Sequence, residues 1–145
     1  MSKITQYNQN GFTLIEIMIT ITVLAIGILG VAKMQLSAVN GNSYASGLTE
    51  ATAFAQNKME ELVSLAYDDA DLNDDDGDGI SGIDDTTSSD GFQQGNGATN
   101  IQYDIFWNIA VDEPAINAKH IRVYVQWQQN GATRNVVLDR IKADI

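Results

Sequence analysis

The chain predicts an α+β protein: one long N-terminal helix, its first half able to span a membrane, carrying an antiparallel sheet of three or more strands on its second half. Three observations predict this. Residues 12–33 are almost continuously apolar, residues 34–66 keep apolar side chains at spacings of three and four, and from Ile101 the period falls to two. Between the helical and the alternating parts lies an acidic stretch, 67–100, with neither rhythm.

Taken in order, the first eleven residues are polar and hold one basic residue, Lys3, and no acid, so positive charge sits on the side expected to stay cytoplasmic. Phe12 to Ala32 as a helix would rise about 31 Å at 1.5 Å per residue, enough to cross the hydrocarbon core of a bilayer. A secretory signal would place a cleavage site after the apolar core, and Ser37, Ala38 and Gly41 loosely mimic one, but the length of the run favours a retained helix. Within it stands one acid, Glu16. A carboxylate there costs on the order of 2.5–3.5 kcal/mol, so it calls for a cationic partner. Gly27 and Gly30 are either tolerated glycines in a lipid helix or points of close packing or local loosening.

Gly11-Phe12-Thr13-Leu14-Ile15-Glu16 resembles the processing motif of type IV prepilins and type II secretion pseudopilins. The resemblance implies that residues 1–11 are a leader removed by a prepilin peptidase between Gly11 and Phe12, that the new amino terminus on Phe12 is methylated, and that Glu16 meets the terminal amine of a neighbouring subunit. Physical chemistry supports such a pairing, since an α-amine is largely cationic near neutral pH and the two buried charges relieve each other's desolvation. Ile26-Gly27-Ile28-Leu29-Gly30 is similar to minor pilins of the PilV type, and Lys33 stands where major pilins commonly carry proline. The resemblance spans residues 8–66. It implies the pilin fold, other pilin subunits as partners, storage in the bacterial inner membrane with the head outside the cytoplasm, and a place in a surface pilus after assembly.

A chain of 145 residues suits one small head beyond a membrane helix. The net charge of −11, or −12 once Lys3 leaves with the leader, argues against nucleic acid or anionic lipid as a partner. There is no cysteine, which removes disulfides and thiol chemistry, and the single histidine, His120, makes an imidazole zinc site thin.

From Gln35 to Ala66 the residues Leu36, Val39, Tyr44, Leu48, Ala51, Ala55, Met59, Leu62 and Val63 continue the helix, with a bend or frayed turn expected near Asn40-Gly41-Asn42. The stripe at 51–63 is expected to hold the sheet of its own head rather than a neighbouring subunit.

Ten aspartates fall between Asp68 and Asp90, and no basic residue occurs between Lys58 and Lys119, so the stretch needs a counter-charge from elsewhere. Asp74-Asp75-Asp76-Gly77-Asp78-Gly79-Ile80-Ser81-Gly82-Ile83-Asp84-Asp85 fits the calcium-loop template, in which alternate side chains aim at one centre and glycine allows the sharp turn. Calcium is therefore the expected cofactor, with Asp74, Asp76, Asp78 and Asp85 as side-chain ligands and Ile80 through its carbonyl; no organic cofactor is expected. The template is imperfect, with aspartate rather than glutamate at the twelfth position and no flanking helix pair. Asp71-x-Asn73-x-Asp75 is a competing register, and a solvated acidic loop is the alternative.

Ile101, Tyr103, Ile105, Trp107, Ile109 and Val111 alternate with mainly polar residues, as do Ile121, Val123, Val125 and Trp127. Asn130-Gly131 is a hairpin turn signal, with Val136 and Leu138 on the returning strand. Trp107 and Trp127 read as packing residues, and His120 as a surface residue at a strand start. No nucleophile, base and orienting group can be assembled, so catalysis is not expected. The reading is a minor type IV pilin, processed and incorporated into the pilus or priming its assembly, with an adhesive head as one role. The alternatives are a minor pseudopilin of a type II secretion system and, of another class, a membrane-anchored calcium-dependent binding protein.

Overall fold

The computed structural model describes residues 11–98 and 100–144. The first ten residues of the expected leader, Lys3 among them, lie outside that range. The chain divides into two compact units, Met1–Asn42 and Ser43–Ile145. One helix, α1 (Leu14–Ser64), contributes to both.

In the first unit the helix opens at Thr13, whose Oγ1 and carbonyl both accept the Glu16 amide, at 3.3 and 3.1 Å. That is the side-chain capping expected of a threonine three residues ahead of a glutamate. From there to Asn42 every described residue is exposed, large apolar ones included: Leu14 is 80 % exposed and Leu29 69 %.

The second unit is α+β. Four strands, β1 (Gly91–Asn96), β2 (Gln102–Val111), β3 (Ala118–Gln129) and β4 (Ala132–Ala143), form an antiparallel meander in sequence order. The alternation that predicted them places Tyr103, Ile105 and Ile109 of β2, and Ile121, Val123, Val125 and Trp127 of β3, on one buried face. Against it lie Ala51, Ala55, Met59 and Leu62, one stripe of α1 recurring every three or four residues. Burying each large aliphatic side chain there contributes about 1.5–3 kcal/mol. The packing role expected for the 51–63 stripe holds for Ala51, Ala55, Met59 and Leu62 but not for Val63, which is exposed, and both tryptophans pack as expected, with Trp127 buried and Trp107 on the rim of the core. The β3–β4 hairpin turns on Asn130 (φ 51) and Gly131 (φ 76), both left-handed, as a two-residue turn of the predicted kind requires.

Two expectations change. The helix runs through Asn40-Gly41-Asn42 without a break. At Gly47, where a Cβ would stand 3.0 Å from Trp127 Nε1, the missing side chain admits the indole, so the packing gained offsets the glycine's weak propensity. The acidic stretch is also not one loop. It contains two short 3-10 turns, Ala70–Leu72 and Gly79–Ser81, and ends in β1. The β1 sequence, Gly-Phe-Gln-Gln-Gly-Asn, has no apolar alternation; pairing with the otherwise open edge of β2 makes it a strand.

Candidate functional site

Two places carry candidate chemistry, one in each unit. In the first, Phe12 and Glu16 border one shallow groove with Ile17, Thr20 and Ile21. The hydroxyls of Thr20 and Thr22 donate back to the carbonyls of Glu16 and Met18 at 2.7 and 2.8 Å, so these polar side chains are satisfied within the helix. Glu16 is then the one ionisable group between Gly11 and Ala32. It sits in the first helical turn, where the aligned backbone amides favour an anion. Gly27 and Gly30 face open space on the helix surface. The Thr13–Glu16 cap escaped the sequence reading, although a threonine three residues before a glutamate and an apolar run was its visible signal.

In the second unit the acidic segment is strapped to the sheet by residues that the motif did not indicate. Leu72 enters the core beneath α1. Lys119, buried on β3, donates its ammonium to the Leu72 carbonyl at 2.7 Å and lies 4.8 Å from the Tyr67 ring. Burial, then the neighbouring Lys142 charge, lowers the pKa of this ammonium. Further along, Asn108 of β2 shares its side-chain amide among the carbonyls of Gly82, Ile83 and Asp85, at 3.0, 3.2 and 2.6 Å. Its oxygen accepts the Asp90 amide at 3.2 Å. Asp90 in turn accepts from the amides of Ile109 and Asp75, at 2.6 and 2.7 Å. Asp84 is held by the Arg122 guanidinium and by the Tyr124 hydroxyl at 2.6 Å. The counter-charge missing from the segment itself is thus supplied by β3.

His120 is half-buried on that same strand, its Nε2 2.9 Å from Asp139, which also accepts from Arg122 Nε at 2.6 Å. The surface histidine anticipated from the sequence is one member of a hydrogen-bonded network around Asp139.

Within the strap, Asp74, Asp76 and Asp78 converge: one carboxylate oxygen from each lies within 4.8 Å of the others. The turn that gathers them uses Gly77 in the left-handed region (φ 74) and two backbone donors, the amides of Gly77 and Gly79, to the Asp74 oxygens at 2.8 and 3.0 Å. Burial and the charges of Asp76, Asp74 and Asp90 push the Asp78 carboxyl up. Burial raises that of Asp90 against the pull of its two amide donors. Asp85 is placed differently. Its Oδ1 accepts from the Thr87 amide and hydroxyl, at 2.7 and 2.8 Å, which hold its pKa down. The converging group comprises Asp74, Asp76 and Asp78 without Asp85, and Ile80 lies in the 3-10 turn that follows them. Three oxygens at this mutual distance fit around a cation with calcium–oxygen bonds of about 2.3–2.6 Å.

Residues 6–32 match the family described as the prokaryotic N-terminal methylation motif. Comparison of the chain with the curated proteins and with the solved structures gives no match.

Proposed function

We propose that this chain is a type IV pilin-like subunit: a prepilin-peptidase substrate cut between Gly11 and Phe12, methylated on Phe12, held in the bacterial inner membrane by residues 12–33, and then assembled with other pilins into a surface pilus. The observation that carries the reading is the coincidence, within 6–32, of the methylation motif with a helix long and apolar enough to cross a membrane, whose apolar side chains are all exposed. An unburied apolar helix of this length needs lipid or the equivalent faces of neighbouring subunits. The role is structural, not enzymatic, and that of a minor subunit, with Lys33 at the position where major pilins carry proline. A minor pseudopilin of a type II secretion system would use the same processing.

N-terminal mass spectrometry of the subunit recovered from purified surface filaments tests the reading. A methylated Phe12 terminus is expected. A native product that keeps residues 1–11 and is absent from filaments would instead favour a membrane-anchored binding protein.

The second unit is assigned a calcium-binding role, with Asp74, Asp76, Asp78 and the Ile80 carbonyl as ligands and Asp85 recruited from its bond to Thr87. Supporting this are the match to the loop template and the convergence of three carboxylates whose mutual repulsion a divalent cation would remove. Bound calcium would brace a segment that no disulfide closes. The melting midpoint of the full chain in detergent is expected to rise on going from chelator to millimolar calcium, and an unchanged midpoint would refute the role.

A further inference from the structure

On the face of the sheet turned away from α1, Asn108, Arg122 and the Tyr124 hydroxyl hold the acidic strap, and the side chains beyond them along the strands are used neither by the strap nor by pilus assembly. Strand register puts Phe92, Phe106, Tyr124 and Val137 in one row across all four strands. Phe92 is 52 % exposed, and its ring lies 5.0 Å from that of Phe106. The next row outward along the strands is Gln94, Asp104, Gln126 and Asn135. Beyond it Gln102 and the hydrogen-bonded pair Gln128–Thr133 border an open depression of about 430 Å³, a volume within the range of small-ligand clefts.

We propose that this face binds a neutral glycan chain, its sugar rings laid on the Phe92–Phe106 row and its hydroxyls hydrogen-bonded to the carboxamides and to Asp104. The ligand class follows from the chemistry of the rows. A carboxamide presents donors and an acceptor in one plane, which matches neighbouring hydroxyls on a sugar ring, and Asp104 adds an acceptor already aligned by Gln94 Nε2 at 3.0 Å. The positive edges of the sugar C–H groups suit the negative faces of exposed aromatic rings. Neither row holds a cation, and the chain carries a net charge of −11, so a polyanionic ligand is disfavoured. A protein partner fits less well, because the buried centre of a protein interface is apolar, whereas here a single apolar row is bordered by rows of mainly amide side chains. The side chains stand on a hydrogen-bonded sheet, so little ordering is needed on binding. The inference does not depend on the filament reading, since the site lies within one head.

Isothermal titration of the full chain in a sugar-free polyoxyethylene detergent, with maltohexaose, cellohexaose and chitohexaose as probes and polygalacturonate as the polyanion, tests it. Saturable binding of at least one neutral oligosaccharide is expected, weakened at least about tenfold by Gln126→Ala and by Phe92→Ala with the melting midpoint kept. Gln94→Ala, on the edge strand, provides a third variant should either of these fail to fold. The proposal is overturned if none of the three neutral probes saturates at millimolar concentration, if the variants bind as the parent does, or if polygalacturonate binds as tightly. It is equally overturned if the same substitutions abolish self-association in sedimentation, which would make the face a subunit interface.

Discussion

The two units treat the same kind of side chain in opposite ways. Between Leu14 and Asn42 the apolar residues are spread around the whole helix and all are exposed, whereas between Ser43 and Ser64 most gather into one stripe that is buried under a sheet, Tyr44 and Val63 staying outside it. A helix that is apolar all round finds its solvent outside its own chain, and a helix with a stripe finds it inside. The contrast also appears in the charges. The first unit carries Glu16 with no cation before Lys33 among its described residues, and the second answers a segment of ten aspartates with Lys119 and Arg122 from its own β3. One unit is left incomplete by its sequence, and the other completes itself.

Removing the incomplete unit's acid should have the largest effect. Glu16→Ala is expected to leave membrane insertion and leader removal largely intact while sharply reducing incorporation into filaments, read by immunogold labelling of sheared pili. The cap at Thr13 offers a competing local explanation, in which Glu16 merely completes a capping box. Glu16→Gln separates the two, because glutamine keeps the cap's hydrogen-bonding capacity and loses the charge. Docking to a terminal amine predicts that both variants fail. Wild-type labelling by Glu16→Gln would leave only the cap.

In the self-complete unit the expected cost falls on stability. Leu62→Ala empties a position at the centre of the helix–sheet core and should destabilise the head by about 2–5 kcal/mol in denaturant unfolding. Membrane insertion should be unchanged, since no described residue of the first unit takes part in that core. A loss of insertion in this variant would break the distinction between the units.

Asn108→Ala probes a smaller dependence. It leaves the carbonyls of Gly82, Ile83 and Asp85 and the Asp90 amide without their partner, and an abandoned buried polar group costs about 1–3 kcal/mol. The loss should be local. Limited proteolysis between Asp75 and Asp90 is expected to quicken well before the sheet core becomes accessible, and uniform digestion would show that the strap and sheet unfold as one.

What could be read from the sequence follows the same division. Period and length were sufficient for α1, for β2 and β3 and for the Asn130-Gly131 turn, because burial writes itself into residue spacing. The aspartate spacing marked Asp74, Asp76 and Asp78, which the structure brings together. The staples of the strap were not legible, since Asn108, Lys119 and Arg122 act on carbonyls and carboxylates distant along the chain; Asn108 and Arg122 read simply as polar positions of strands, and Lys119 as the polar start of a core-facing phase. The β1 strand was hidden for a related reason. Its conformation is set by the free edge of β2, and with Phe92 as its one large apolar residue it carries no period of its own.

The smallest effect concerns acidity and separates two kinds of aspartate in the second unit. Hydrogen bonds from Tyr124 and Arg122 lower the pKa of Asp84, and at Asp139 the bonds from Arg122 and His120 outweigh the opposing effect of burial. Their stabilisation is present above the ordinary carboxylate value of 3.8 and is lost as pH falls through the lower folded values. Asp78 and Asp90 have the opposite sign: with folded values raised above 3.8, they bind protons more tightly in the native state, so stability falls as pH rises through that window. In chelator, the melting midpoint of the head should therefore rise modestly on acidification from neutral pH toward 4 and fall below it. Asp78→Asn should flatten the rise and Asp139→Asn the fall. Exposure of Asp84 to solvent keeps its share small. A midpoint that declines steadily from pH 7 downward would mean that the clustered carboxylates do not repel one another in the folded strap, and would remove the electrostatic reason for a cation there.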